Sequence, residues 1–590
     1  MTTDAPPLWK RRFRAPQVTF PSWARDAPER LVYASNESGS WQVWAWDRVT
    51  GLRRRVTDHP IGVMHAVLTP DGERVVWFHD DSGDESGRWV WVPFDQPSRK
   101  PQPLAPDVLD GWSAGLALGD GVAVVGTATE TGYSVRTVNG EGAAEMLYVH
   151  TEDVSVSGLS RDGTLVCLAH AEHGDSIHRA LRVLDPLTGD VRGEQWDGPA
   201  LGLHAASWSP VPGDQRLAIV HEREGRERPA LWHLVSGERR DLAVDLPGDI
   251  GVAAWWPDAS ALLLVHDHEG RTTLHRLDES TGRPSTIETP EGTIDAAGVR
   301  PDGEVWFQWA SGSEPSIVRN VGGDEVLAPA GERAPAGEPY RSWSFCNPNG
   351  QRVHGFLTTP PGAGPFPLIM QVHGGPTWAY TDSFMPDVQA WVDHGFAVAM
   401  VNYRGSTGYG VEWRDALIGN PGFPEVDDVV AGLDDLVASG VIDPDRAVLL
   451  GRSWGGYVTL LGLGRTPERW VAGVAVVPVA DFPVAFADEA PQLQAYDRTL
   501  FGGSPGERPD LYVERSPLTY VDQVRAPVVI IAGSNDSRCP IRQIENYVDA
   551  LRARGGVVEF HTYETGHGSM VIEQRIEHMC WELDFVLARV

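Results

Sequence analysis

The chain has 590 residues, a formal net charge of −32 and a pI near 4.9. That length is too great for one hydrophobic core, so at least two domains are expected. The acidic balance argues against nucleic acid or an anionic membrane as partner, and no apolar run is long enough to span a bilayer.

Near the N-terminus, Lys10, Arg11, Arg12 and Arg14 form a basic cluster. No apolar segment follows it as in a secretory signal, so it reads as solvated charge. The four cysteines (Cys167, Cys346, Cys539, Cys580) are scattered without metal-ligand spacing. Together these features predict a cytoplasmic protein that needs no metal and no organic cofactor.

From residue 26 to residue 302 a turn built on aspartate with glycine or proline recurs ahead of an apolar strand. Its aspartates are Asp26, Asp71, Asp120, Asp162, Asp214, Asp258 and Asp302, spaced 42 to 52 residues apart. A second turn recurs within several units, as in Asp47 to Gly51, Asp185 to Gly189 and Asp278 to Gly282. Seven units of this length, each with room for about four strands, predict a seven-bladed β-propeller over residues 1–330. A pair of β-sandwiches would not explain the regular period. The Pro/Gly/Ala-rich stretch 328–339 reads as the linker to a second domain, 331–590.

In that second part, Pro367–Val372 reads as a buried strand running into His373-Gly374-Gly375-Pro376. Ala447–Leu450 is another apolar strand and leads into Gly451-Arg452-Ser453-Trp454-Gly455, after which an apolar helix can continue. Strand, G-x-S-x-G, helix is the layout of a nucleophile elbow. A serine hydroxyl needs a histidine to take its proton and a carboxylate to orient that histidine. The strand Val528–Gly533 delivers Asp536, and the strand Val557–Tyr563 delivers His567, in the order expected of an α/β-hydrolase. The H-G-G turn supplies the remaining part: the amide of Gly375, with that of Trp454 after the nucleophile, can form an oxyanion hole. A helix with Ile572, Ile576, Met579, Leu583 and Val586 on one face ends the chain.

Five segments, His373–Pro376, Asn402–Gly410, Gly451–Tyr457, Gly533–Arg538 and Gly566–Gly568, closely resemble the prolyl oligopeptidase family of serine peptidases, particularly its acylaminoacyl-peptidase and aminopeptidase branch. The resemblance implies a propeller preceding an α/β-hydrolase domain, with Ser453 as nucleophile, His567 as base and Asp536 as its orienter. It also implies that Arg538 holds a substrate carbonyl, whereas Asn402–Gly410 looks structural as much as catalytic and is assigned no chemical role. Cys539 departs from the family, which more often has valine there.

The expected activity is hydrolysis of short peptides, or of N-terminal aminoacyl bonds, through an acyl-enzyme. An amidase or esterase for a small metabolite would use the same triad and stays open. A non-catalytic propeller scaffold should have lost a catalytic part, and none is missing. An aminopeptidase needs a carboxylate for the substrate ammonium, for which Glu222, Glu224 and Glu227 are candidates, although a solvated turn explains them equally. Val477–Phe482 and the aromatic elbow suggest an apolar S1 pocket.

Overall fold

The computed structural model describes residues 6–590. Seven units of four antiparallel strands occupy residues 22–55, 66–103, 111–150, 154–195, 203–241, 249–287 and 293–327. Each repeat aspartate lies in the turn between the first and second strands of its unit. The repeat has a local cause. The carboxylates of Asp71, Asp258 and Asp302 accept the backbone N–H two residues on, at 2.9, 3.0 and 3.0 Å. Such a bond mimics a backbone turn. The glycine following Asp71 and Asp302 takes up the left-handed conformation, at φ 72° and 87°, which a side chain would resist.

The seventh blade meets the first through side chains, since both are built from contiguous chain. Trp306 is fully buried there among Leu31, Tyr33 and Val318. Arg300 donates to the Pro28 carbonyl (2.8 Å) and to Glu29 (2.9 Å), with its guanidinium 4.8 Å from the Trp306 ring and 5.0 Å from Trp23.

The second unit is an eight-stranded sheet of β1 (Arg341–Cys346), β2 (Arg352–Thr358), β3 (Phe366–Val372), β4 (Ala397–Asn402), β5 (Ile442–Arg452), β6 (Ala472–Val476), β7 (Val528–Gly533) and β8 (Val558–Tyr563). Its order is β1-β2-β4-β3-β5-β6-β7-β8. The strands are parallel from β4 onward, and β1 and β2 are antiparallel. Near-continuous apolar strands such as β4 and β7 are buried along their whole length, as a sheet covered on both faces requires.

The helix Leu8–Arg14 precedes the propeller in sequence but packs on this second unit. Trp9 and Phe13 are buried with Tyr340, Trp391 and Phe585. The basic cluster is therefore not simply solvated charge. Arg12 is 3 % exposed, pairs with Asp393 (2.6 Å) and donates to the Ala336 carbonyl (2.7 Å), while Arg14 pairs with Glu573. Amphipathic packing of a seven-residue helix brought these arginines onto acceptors that lie more than 300 residues away in sequence.

Between the units lies a buried set of charges. Arg414 of the hydrolase unit pairs with the fully buried Glu222 of the propeller and with Asp415 (2.7 Å). Asp415 accepts from His178 Nε2 at 2.8 Å, and Asp175 faces His178 Nδ1 at 2.5 Å. Burial works against the charged imidazole, but the hydrogen bonds to Asp175 and Asp415 outweigh it and raise His178 to about 9. A raised folded-state value contributes stability that is full below the unfolded value, about 6.5, and is lost as pH climbs toward 9. The melting temperature should therefore decline over that interval, and His178→Ala should flatten the decline. Calorimetry across the same pH range checks it; an unchanged slope in the variant would discount His178.

Candidate active site

The elbow is dictated by crowding. Ser453 ends β5 at φ 57°, ψ −123° and begins the helix Trp454–Arg465, a conformation that costs on the order of 1–3 kcal/mol for a non-glycine residue. A Cβ at Gly451 would strike the Gly455 carbonyl, and one at Gly455 would strike the Val372 carbonyl of β3. These two glycines let the turn close onto the sheet. The Ser453 amide donates to the Val476 carbonyl of β6 at 2.9 Å.

Asp536 follows β7 and His567 follows β8. Asp536 is 5 % exposed and fully engaged. Its Oδ2 lies 2.8 Å from His567 Nδ1, and its Oδ1 accepts the amides of Arg538 (2.8 Å) and Cys539 (2.9 Å). Cys539 lies in the middle of the group. Its Sγ is within 4.8 Å of the ligating atoms of Asp536 and His567, and it sits against the Ser453 hydroxyl. Burial pushes the thiol well above its ordinary value, reinforced by the negative charge of Asp536. It therefore stays protonated at neutral pH.

The H-G-G turn lies beside the elbow: a Cβ at Gly374 would approach Ser453 Cβ to 3.2 Å and the Trp454 amide to 3.7 Å. Among the described residues, neither the Gly375 nor the Trp454 amide donates to a protein acceptor, so both are free to meet an oxyanion. His373 is fully enclosed, with Nε2 2.8 Å from Ser406 Oγ and its ring stacked 4.2 Å from Tyr403. Burial lowers it to about 3, which removes it from proton transfer. The segment Asn402–Gly410 supports this turn: Asn402 bonds both backbone groups of Tyr380, and Arg404 is locked to the buried Asp428.

A cavity of about 700 Å³ opens over His567 and Arg538. Its walls come from both units: Ile61, Phe78, Glu85 and Trp112 from the propeller, Leu493 and Met570 from the hydrolase unit. Val477–Phe482, expected at an apolar S1 pocket, does not line it. Phe482 is instead core, with ring centres 4.9 Å from Tyr457 and Phe501.

The propeller loop 80–86 was not legible as a site element. Asp80 folds it by accepting the amides of Ser82, Gly83 and Glu85, and Glu85 sits at φ 62°. The loop rests on both catalytic loops. Asn535 Nδ2 donates to the Ser82 carbonyl (3.0 Å), and a Cβ at Gly566 would collide with the Gly83 carbonyl. Arg538 is held by Glu85 through both carboxylate oxygens, at 2.7 and 2.9 Å. Of the earlier acidic candidates, Glu222 is spent on Arg414 and Glu224 is exposed. Glu227 faces a separate cavity of about 280 Å³ with Asp249 and Asp267, and burial raises it to about 7.

A strained serine between β5 and its helix, with a hydrogen-bonded acid–histidine pair on the loops after β7 and β8, defines an α/β-hydrolase, with a seven-bladed propeller as its roof. Residues 382–590 match the model of the prolyl oligopeptidase family. Dipeptidyl aminopeptidase BIII of Pseudoxanthomonas mexicana is 33 % identical over 60 % of this chain and 55 % of its own length. The acylamino-acid-releasing enzyme of Rattus norvegicus is 32 % identical over 37 % of this chain and 30 % of its own. These matches thus span about half of the first relative's length and under a third of the second's. The solved structure of a Mycobacterium tuberculosis puromycin-hydrolyzing peptidase superposes with a TM-score of 0.82 at 21 % identity, covering 99 % of this chain and 96 % of that one.

Asp536→Asn would leave the two amide bonds in place while presenting His567 Nδ1 with the wrong partner. The expected loss of turnover is on the order of 10⁴-fold with the fold intact. Hydrolysis rates beside a near-UV spectrum check it; near-normal rates would mean that another group orients the histidine.

Proposed function

We propose that this protein is a serine peptidase that hydrolyses short peptides, or the N-terminal aminoacyl bond of peptides with a free or acylated end, through an acyl-enzyme. The observation that carries this reading is the Asp536–His567 hydrogen bond of 2.8 Å, set beside the elbow serine beneath a cavity walled by the propeller. In this reading His567 Nδ1–H donates to Asp536, which leaves the Nε2 lone pair to take the Ser453 proton as Oγ attacks the substrate carbonyl. The amides of Gly375 and Trp454 stabilise the oxyanion. The amine departs with the proton from His567, and water then attacks the acyl-enzyme by the same route. The names of the relatives, a dipeptidyl aminopeptidase and an acylamino-acid-releasing enzyme, support peptide substrates.

The division of the chain near residue 330 belongs to this proposal. It is supported by the last propeller strand ending at Leu327 and by β1 beginning at Arg341, with the helix Leu8–Arg14 assigned to the hydrolase unit. Cytoplasmic residence is part of it as well, supported by four unpaired cysteines. Among the described residues no helix is long and apolar enough to cross a membrane.

The Arg538–Glu85 pair favours one second reading, an amidase or esterase for a small molecule, since the arginine already has a carboxylate partner. Ser453→Ala should remove nearly all turnover and all labelling by a fluorophosphonate; labelling of another serine in the intact enzyme would reject the assignment. Arg538 separates the two substrate classes. A charge-assisted hydrogen bond to a second substrate carbonyl is worth about 1.5–3 kcal/mol. Arg538→Ala should then lower kcat/KM by roughly 10- to 150-fold on peptide substrates and scarcely at all on a short-chain nitrophenyl ester. Equal losses on both would mean that Arg538 only shapes the loop, and would favour the small-molecule reading.

A further inference from the structure

Beside Phe78 and Asp80, which line the catalytic cavity, two propeller histidines and an aspartate converge. An imidazole nitrogen of His59, one of His79 and a carboxylate oxygen of Asp81 all lie within 4.8 Å of one another. His59 follows the first blade, and His79 closes the second strand of the second blade. The two rings stand 5.0 Å apart at 89°, and His79 Nε2 lies 3.2 Å from the Asp81 carboxylate. The buried Gln42 pins the His59 backbone, accepting its amide (3.0 Å) and donating to its carbonyl (2.7 Å).

A second observation points to a ligand. His59 Nδ1 and His79 Nδ1 are both buried and have no hydrogen-bond partner among the described residues. Burying a polar atom without a partner is unfavourable, and a cation reached by rotation of the two rings would give them one.

Two other groups of possible ligands in the propeller lack this freedom. Glu194, beside His170 and His173, is ion-paired with Arg182 at 2.8 Å, and Glu222, beside His204 and Glu227, is ion-paired with Arg414. Among the described residues the Asp81 carboxylate has no arginine or lysine partner within ion-pair distance.

We propose that His59, His79 and Asp81 bind one divalent transition-metal ion of the zinc class, with solvent as the remaining ligand. Two imidazoles and one carboxylate suit zinc rather than calcium or magnesium, which prefer oxygen. Metal–ligand bonds of about 2.0–2.2 Å in a tetrahedral site set ligand atoms about 3.4 Å apart, so small side-chain rotations close the present spacing. The ion would tie the end of the first blade to the start of loop 80–86, the loop that carries Glu85 to Arg538 and rests against Gly566 beside His567. Its role is to fix a wall of the cavity; no step of the hydrolysis passes through it.

The test is equilibrium dialysis of the chelator-stripped full-length protein against Zn²⁺, with metal counted by elemental analysis, and Co²⁺ as a visible-band probe of a site with nitrogen ligands. The wild type should retain one ion per chain. His59→Ala and His79→Ala should weaken binding by more than the 10- to 100-fold that loss of a mere outer partner costs. Asp81→Asn, at an exposed side chain that folding does not need, keeps the test valid if a histidine variant misfolds. His170→Ala should bind as the wild type does. Zn²⁺ should also raise the melting temperature of the wild type but not of His79→Ala. The proposal is overturned if the stripped wild type takes up no zinc at micromolar concentration, or if the three variants bind as it does. It is equally overturned if Cys539→Val alone abolishes binding, which would put the ion at the triad.

Discussion

A backbone-on-backbone contact turns two units into one site. Gly83 of the propeller and Gly566 of the hydrolase unit approach so closely that neither could carry a side chain without displacing the other. The contact lies one residue before His567, so the propeller does more than cover the opening: it buttresses the loop that presents the base. The Asn535–Ser82 and Arg538–Glu85 bonds extend the same buttress to the loop bearing Asp536. The catalytic loops are thus held from below by sheet strands and from above by a single turn stabilised by Asp80.

The electrostatic layout of the floor is sparse. His373 is held neutral by burial and Cys539 stays protonated for the same reason. The carboxylate of Asp536 is then the anion around which the group is organised, and its charge is spread over one imidazole and two amides. A single well-satisfied anion is compatible with a buried site; several would have to share protons or separate. The larger collection of acids sits elsewhere, at the interface, where His178 and Arg414 neutralise Glu222, Asp175 and Asp415.

Much of this was legible in the sequence because its causes are local. Five of the seven aspartate turns, at Asp71, Asp162, Asp214, Asp258 and Asp302, are self-capped by a hydrogen bond from the amide two residues on, so they leave a periodic trace. The elbow, the H-G-G turn and the loops after β7 and β8 each join a strand pattern to a required residue type. What was hidden depends on long-range packing. Glu85 and Arg538 are 453 residues apart in sequence, and nothing in the D-D-S-G-D-E run distinguishes it from any other hairpin loop. Glu222 read as part of a charged turn because its partner, Arg414, lies in the other unit. Val477–Phe482 read as a pocket because an apolar run looks the same whether it lines a cavity or fills a core. The N-terminal arginines looked solvated because a seven-residue helix carries too little pattern to reveal what it packs on.

That short helix also sets how the two units are joined. The chain leaves the hydrolase unit after Arg14, builds the whole propeller, and returns through residues 328–340. The outgoing and returning segments run side by side: Gly331 lies against Pro16, Glu332 pairs with Arg11, and Arg12 bonds the carbonyls of Pro335 and Ala336. The propeller is, in topological terms, an insertion hung on a double-stranded strap at one edge. Cutting the chain at residue 330 would therefore not liberate a complete hydrolase unit, because a piece of its core would leave with the propeller. A doubled strap also resists twisting of one unit about the other. Lifting loop 80–86 off the catalytic loops would have to break the Asn535–Ser82 and Arg538–Glu85 bonds.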